Sequence, residues 1–281
     1  NNFSGRLQCM KYAYLAVCYQ LASYLRGVTE HGVYTVRSGV AKGLKRRGGF
    51  GFIPRQMSQE EMFLARLDLC GKTVFDVGGY QGIYTIFFAR AVGPRGRVVT
   101  FEPNPVNHAS ILDNVQLNRF GNVVVKQMAL ADRRGRADFV FPIREPARGT
   151  LRADYQASLA TRFESRKIAV TLDTLDNQLA EFPAPDLIKI DVEGAELEVL
   201  RGMPMLLQEY RPALFIEVHT GVDVRQLVRL LADAEYELCD IENDIRITPD
   251  NVTRFQNGHL YCCTRAATLA PKRFEAELAA A

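Results

Sequence analysis

Short apolar runs alternate with helical segments along this chain, and that alternation leaves few folds open to it. Thr73–Val77 is an apolar run bounded by Gly71 and Gly78 and reads as a strand. Tyr84–Val92 reads as a helix, Gly93-Pro94-Arg95-Gly96 as a turn, and Arg97–Phe101 as a second strand. A helix over Val106–Asn118 and a strand over Val123–Gln127 follow. After an irregular stretch, Asp186–Ile190 and Ala213–Val218 read as strands, each followed by a helix, Ala195–Leu207 and Val222–Ala234. Two late strand-like runs lie near Tyr236–Ile241 and His259–Thr264. Strands alternating with helices imply right-handed crossovers, hence an α/β fold with a mainly parallel sheet covered on both faces. In such sheets ligands bind at the carboxyl ends of the strands, so the residues just after each strand are the ones to inspect.

The remainder of the chain narrows the class less. Lys and Arg total 35 against 32 for Asp and Glu, and this near balance gives no reason to expect a nucleic-acid partner. Cys9, Cys18, Cys70, Cys239, Cys262 and Cys263 form no CxxC pair and no zinc-finger spacing. Free cysteines in apolar runs behave as small hydrophobes, which fits a reducing, cytoplasmic setting. The apolar stretch Tyr12–Leu25 contains Gln20 and Ser23 and is shorter than the roughly 20 residues a spanning helix needs. Residues 6–26 are expected to form a helix packed on the main domain, with membrane-surface contact as the rival reading. The segment Gly27–Gly51, with Lys45, Arg46, Arg47, Gly48 and Gly49, reads as a solvated turn between two short strands or as a phosphate- or substrate-facing loop. Ser58 with Glu61 three residues later forms a capping box for a helix carrying Met62, Phe63 and Leu67. The expected organisation is an N-terminal helical extension and connector over residues 1–55, a main domain over 56–268, and a tail over 269–281.

The loop after the first strand is Asp76-Val77-Gly78-Gly79-Tyr80-Gln81-Gly82, and it opens directly into a helix. Its glycines admit close backbone approach to a ligand, and the helix start offers free N–H groups. Twenty residues past Gly82, Glu102 ends the second strand, where a carboxylate accepts the hydroxyls of a ribose. A nucleotide-like ligand follows. A pyrophosphate beside Asp76 would be repelled, and the strict G-x-G-x-x-G is absent. S-adenosylmethionine instead brings an ammonium and a sulfonium, which Asp76 attracts.

Further motifs occur in order: Val74-Phe75-Asp76-Val77-Gly78, Phe101-Glu102-Pro103-Asn104-Pro105, Thr171-Leu172-Asp173-Thr174-Leu175, Asp186 through Glu196, Arg211-Pro212, and Glu217-Val218-His219. Over roughly residues 70–220 the chain resembles the FkbM family of class I methyltransferases, and the Lys189–Glu196 block is the most specific part of that likeness. The resemblance implies a Rossmann-like seven-stranded fold and O-methylation of a hydroxyl, commonly on a sugar, glycan or natural product. It also implies cofactor contacts at Asp76, Gly78, Gly82 and Glu102, with Asp132 facing the adenine. Where the family often has Gly-Ala-Asn, this chain has Gly78-Gly79-Tyr80, so Tyr80 is expected to cover the methionine end of the cofactor.

A hydroxyl acceptor benefits from a general base, and the residues after the fourth and fifth strands supply candidates. Asp191 ends its strand beside the expected position of the methyl group and is assigned to both cofactor and catalysis; Glu217 and His219 are the other catalytic candidates. Glu193 reads either as a further candidate or as a charge stabilising a helix start. Asp191, Glu217 and His219 also have the ligand chemistry of a divalent ion, but sequence supplies no geometry, so no metal is assigned. The irregular region Pro142–Lys167 carries Arg144, Arg148, Arg152, Tyr155, Arg162, Arg166 and Lys167, and reads either as an acceptor-binding loop or as a solvated one. A non-catalytic or membrane-associated binding protein on the same fold is the alternative, disfavoured by the retained charges at Asp76, Glu102 and Asp191.

Overall fold

The computed structural model describes residues 32–49, 51–143, 148–264 and 269; the expected helix over residues 6–26, Cys9, Cys18 and Arg144 lie outside them. Two short strands, β1 (Val33–Thr35) and β2 (Lys45–Arg47), pair antiparallel, as the first reading of the basic connector anticipates. Helix α1 (Gln59–Leu64) starts at the capping box: the Ser58 hydroxyl accepts from Glu61 N at 3.1 Å and the Glu61 carboxylate accepts from Ser58 N at 3.0 Å.

The alternating core follows. Strand β3 (Thr73–Val77) leads to α2 (Ile83–Val92), β4 (Arg97–Phe101) to α3 (Pro105–Leu117), and β5 (Val123–Lys126) closes one edge. Pro105 occupies the first turn of α3, where its missing N–H is no loss, and Asn104 caps it by accepting from Val106 N. Strands β6 (Ala129–Leu130), β7 (Gly135–Pro142) and β8 (Ser165–Asp173) form a separate three-stranded sheet, order β6-β8-β7. The helices α4 (Ala153–Arg162) and α5 (Leu175–Gln178) flank β8. Then come β9 (Leu187–Ile190), α6 (Glu196–Arg201), β10 (Ala213–Val218), α7 (Val224–Asp233), β11 (Glu237–Asp240), β12 (Ile245–Ile247) and β13 (Gly258–Cys263).

The main sheet runs β12-β11-β13-β10-β9-β3-β4-β5. Its five central and edge strands from β10 to β5 are parallel, and β13 enters antiparallel between β10 and β11. Seven strands reproduce the expected Rossmann-like arrangement; the eighth, β12, is a three-residue hairpin extension of β11. Central strands such as β9 and β10 read as apolar runs because both their faces are covered: Leu187, Ile188, Ile190, Leu214, Phe215 and Ile216 are all fully buried.

Three expectations change. The region Pro142–Lys167 is not wholly irregular: α4 lies within it, and β7 and β8 pair over eight residues. The single helix expected over Ala195–Leu207 is broken after Arg201, where Gly202 packs so closely that a Cβ there would sit 2.0 Å from the Ala131 carbonyl oxygen. A short π-helical turn, Leu206–Tyr210, follows it. Cys70 is exposed rather than packed as a small hydrophobe, whereas Cys239, Cys262 and Cys263 are buried. Among the described residues no helix is long and apolar enough to cross a membrane.

Candidate active site

Register puts the chemistry in rows. On one face of the sheet Thr100, Asp76, Lys189, Phe215 and Tyr261 stand side by side on neighbouring strands. Two residues further toward the strand ends, Glu217 lies opposite His259, and Asp191 follows the last residue of β9. The polar members of the first row, Thr100, Asp76 and Lys189, are buried. Asp76 is fully buried, its Oδ2 accepts from the Thr85 hydroxyl at 2.6 Å, and its cross-strand neighbour is Lys189. Burial raises the pKa of Asp76, with the Lys189 charge and the Thr85 hydrogen bond opposing. Lys189 is 1% exposed; its Nζ donates to Asp191 Oδ2 at 3.0 Å and lies 4.9 Å from the Tyr84 ring centre. Burial pulls the Lys189 pKa down, but Asp191 and Asp76 outweigh it and hold the group above its ordinary value.

A cavity of about 710 Å³, counting its open mouth, lies at the carboxyl ends of β3, β4 and β9. Its apolar wall includes Val77, Phe101, Met128, Leu130, Leu151 and Val192, and its acidic members are Glu102, Asp191 and Glu193. Glu102 is 4% exposed and accepts from Tyr80 N at 2.8 Å, Asn104 N at 2.9 Å and, more weakly, Asn107 Nδ2 at 3.5 Å. Burial pushes its pKa up to about 8 against those donors. A carboxylate has about four acceptor positions, so these bonds leave capacity toward the cavity.

Of the residues expected at the cofactor, Gly78, Tyr80, Glu102 and Asp191 line this cavity. Asp76, Gly79, Gly82 and Asp132 do not. Asp76 stands beside the chain's own Lys189 on the neighbouring strand. Asp132 forms an ion pair with Arg133 at 2.9 Å. Tyr80 adopts a left-handed φ of 47° and reaches Glu102 through its backbone N–H.

Beyond Asp191 the cavity wall continues into a cluster of carboxylates and imidazoles. His219 is anchored at Nδ1 by the buried Glu196 at 2.7 Å, and its Nε2 faces Glu193 and Glu217 at 3.6 Å and Asp191 at 3.9 Å. His259 is anchored at Nδ1 by Glu242, and its Nε2 faces Glu60 at 3.5 Å and Glu217 at 3.6 Å. Burial lowers the pKa of both imidazoles, but their carboxylate neighbours outweigh it and bring each to about 9. Glu193 is pushed up to about 7 by burial, with the His219 charge opposing. Burial raises Glu217, yet His259 and His219 hold it below the usual carboxylate range. Glu60, Glu196, Glu242, His259 and Lys189 thus join a site for which the sequence reading offers Asp191, Glu217 and His219, with Glu193 as a further candidate. No spacing announces Glu217 beside His259, because the contact is cross-strand, 42 residues apart in number.

The fold and cleft define an α/β domain of the class I methyltransferase kind. Residues 76–238 match the methyltransferase FkbM domain, and the chain belongs to that family, whose cofactor is S-adenosyl-L-methionine. Over 162 residues it is 30% identical to the hexuronic acid methyltransferase AglP of Haloferax volcanii, covering 58% of this chain and 62% of that one. It is 27% identical over 144 residues to methyltransferase 1 of Beauveria bassiana, covering 46% and 57% respectively. The FkbM methyltransferase structure from Methylobacillus flagellatus KT superposes with a TM-score of 0.46 at 19% identity, covering 68% of this chain and 43% of that one. The chain therefore spans less than two thirds of the length of these two curated relatives.

Proposed function

We propose that the chain is an S-adenosylmethionine-dependent O-methyltransferase acting on a hydroxyl of a sugar, glycan or natural product. The observation that carries this reading is the cavity, which joins a buried acceptor, Glu102, to an apolar wall and then to the acidic end at Asp191 and Glu193. That sequence fits the cofactor part by part. Glu102 would take the ribose hydroxyls, and Phe101, Met128 and Leu130 would flank the adenine. Gly78, Tyr80 and Asp191 would hold the methionine part. When bound, the cofactor supplies a methyl group on a sulfonium: the acceptor oxygen's lone pair forms the O–CH₃ bond as the S–CH₃ bond electrons return to sulfur.

The chain's own part is to hold the acceptor in line and to receive its proton. Asp191, fixed by Lys189, and Glu193 line the cavity, and the hydroxyl proton leaves toward these carboxylates, with Glu217 and His219 behind them. The identity to a hexuronic acid methyltransferase supports a sugar acceptor, but such a sugar offers both hydroxyls and a carboxylate. Labelled methyl transfer into glycans of a cell extract separates them. The expected product is an ether that survives mild alkali. Label released by mild alkali would mean a methyl ester and would overturn the hydroxyl assignment.

A further inference from the structure

The carboxylate–imidazole cluster beside the cavity is arranged as two ligand sets that share one residue. Asp191, Glu217 and His219 offer one oxygen or nitrogen each, all within 4.8 Å of one another, and Glu60, Glu217 and His259 do the same. Glu217 uses Oε1 toward His219 and Oε2 toward His259. We propose that this cluster binds two divalent cations, one on Asp191, Glu217 and His219 and the other on Glu60, Glu217 and His259, with Glu217 bridging them.

Three observations carry the assignment. First, both imidazoles have their Nδ1 tied to a carboxylate, Glu196 or Glu242, leaving Nε2 turned toward the shared carboxylates. That is the arrangement by which a carboxylate orients a metal-binding histidine. Second, the gaps are the wrong length for hydrogen bonds and close to the right length for ligands. The separations from Nε2 to carboxylate oxygens are 3.5 to 3.9 Å. Two donors each about 2.1 Å from an ion stand roughly 3.0–3.4 Å apart, so each imidazole is within a modest contraction of its carboxylates, and all donors of a set lie within 4.8 Å of one another. His259 Nε2 is buried and makes no hydrogen bond. Third, Glu196 is 0% exposed, and its Oε2, next to the oxygen that anchors His219, has no hydrogen-bond partner. Half-buried carboxylates gathered this closely around the buried Glu196 are eased by positive charge between them. Lys189 is already engaged with Asp191.

Mixed carboxylate and imidazole donors suit ions such as Mn²⁺ better than Ca²⁺. The inference rests on the proposed function only for its consequence, that cations here would receive the acceptor oxygen and ease loss of its proton. Ion uptake itself needs neither cofactor nor acceptor.

Mn²⁺ alone, added to the full chain after chelator treatment, is the direct probe. Elemental analysis is expected to give two equivalents per chain, and electron paramagnetic resonance an exchange-coupled spectrum at the second equivalent. His219→Ala and His259→Ala should each leave one uncoupled ion, and Glu217→Gln should abolish the coupling. Fewer than two equivalents on the wild-type chain, or two ions without coupling, overturns the proposal, and that measurement stands even if a variant fails to fold. A closed network of protonated imidazoles and carboxylates would give that negative result. Calorimetry with S-adenosylhomocysteine, run in parallel, keeps the readings apart: ions bound without the homocysteine compound contradict the methyltransferase reading alone, and the reverse contradicts the metal site alone.

Discussion

Lys189→Met is expected to destabilise the fold by about 3–5 kcal/mol, the loss typical of removing one partner from a buried charge pair. Lys189 is the cation between two carboxylates: Asp191, which it reaches at 3.0 Å, and Asp76, its cross-strand neighbour. Asp76 keeps one hydrogen bond, from Thr85, and its Oδ1 has none, so no other group on hand replaces the lost charge. The deficit should also depend on pH. Burial already raises the pKa of Asp76, and loss of Lys189 raises it further. A carboxyl whose folded pKa exceeds its unfolded one holds its proton in the native state, so stability falls as pH rises above the unfolded value. The variant should therefore be closer to wild type at pH 5 than at pH 8. Urea unfolding at both values measures this. Lys189→Met with Asp76→Asn should recover most of the loss, because the two sites are coupled. A single variant within about 1 kcal/mol of wild type would show that the lysine is not the counter-charge described here.

Gly78→Ala is the second large effect, at least about 3 kcal/mol. Gly78 has φ +84°, in the left-handed region, and a Cβ there would stand 1.7 Å from the Asp191 carbonyl oxygen. The strain at positive φ alone is about 1–2 kcal/mol. The clash adds to it because the obstacle is backbone, held by the Asp191 N–H to Val77 carbonyl bond at 3.0 Å. Relief requires β9 to move away from the loop, and Asp191 and Glu193 move with it. The variant should lose both its urea midpoint and cofactor binding. A variant that keeps its midpoint would mean the loop yields more easily than its packing indicates.

The legible part of this fold is the part whose pattern is local. Strands β3, β4, β9 and β10 are buried on both faces and so announce themselves as apolar runs, and Ser58 with Glu61 marks the start of α1 through contacts three residues apart. Glu102 is legible because a strand end and a spacing place it. The two-sided role of Gly78 is not, since the carbonyl it must avoid belongs to a residue more than a hundred positions away. The same limit holds for Asp76: beside glycines it reads as a ligand for a cation, and only the register with β9 shows Lys189 beside it. Strands β7 and β8 escape because β8 begins Ser165-Arg166-Lys167, a polar edge whose apolar partners emerge only from Ile168 onward. His259 and Glu60 reach Glu217 from β13 and α1, contacts that sequence periodicity does not encode.

The cavity at the ends of β3 and β4 is expected to take the cofactor with Glu102 as its ribose anchor. Isothermal titration of the chain with S-adenosylhomocysteine tests it most directly, repeated at pH 6 and pH 8 and with Glu102→Ala. One site per chain is expected. Its affinity should rise about tenfold or more between the two pH values, as a carboxyl raised to about 8 becomes ionised, and should fall about a hundredfold in the variant, as charged hydrogen bonds are lost. Absence of binding at millimolar ligand, or a Glu102→Ala chain that binds as tightly as wild type, would contradict it.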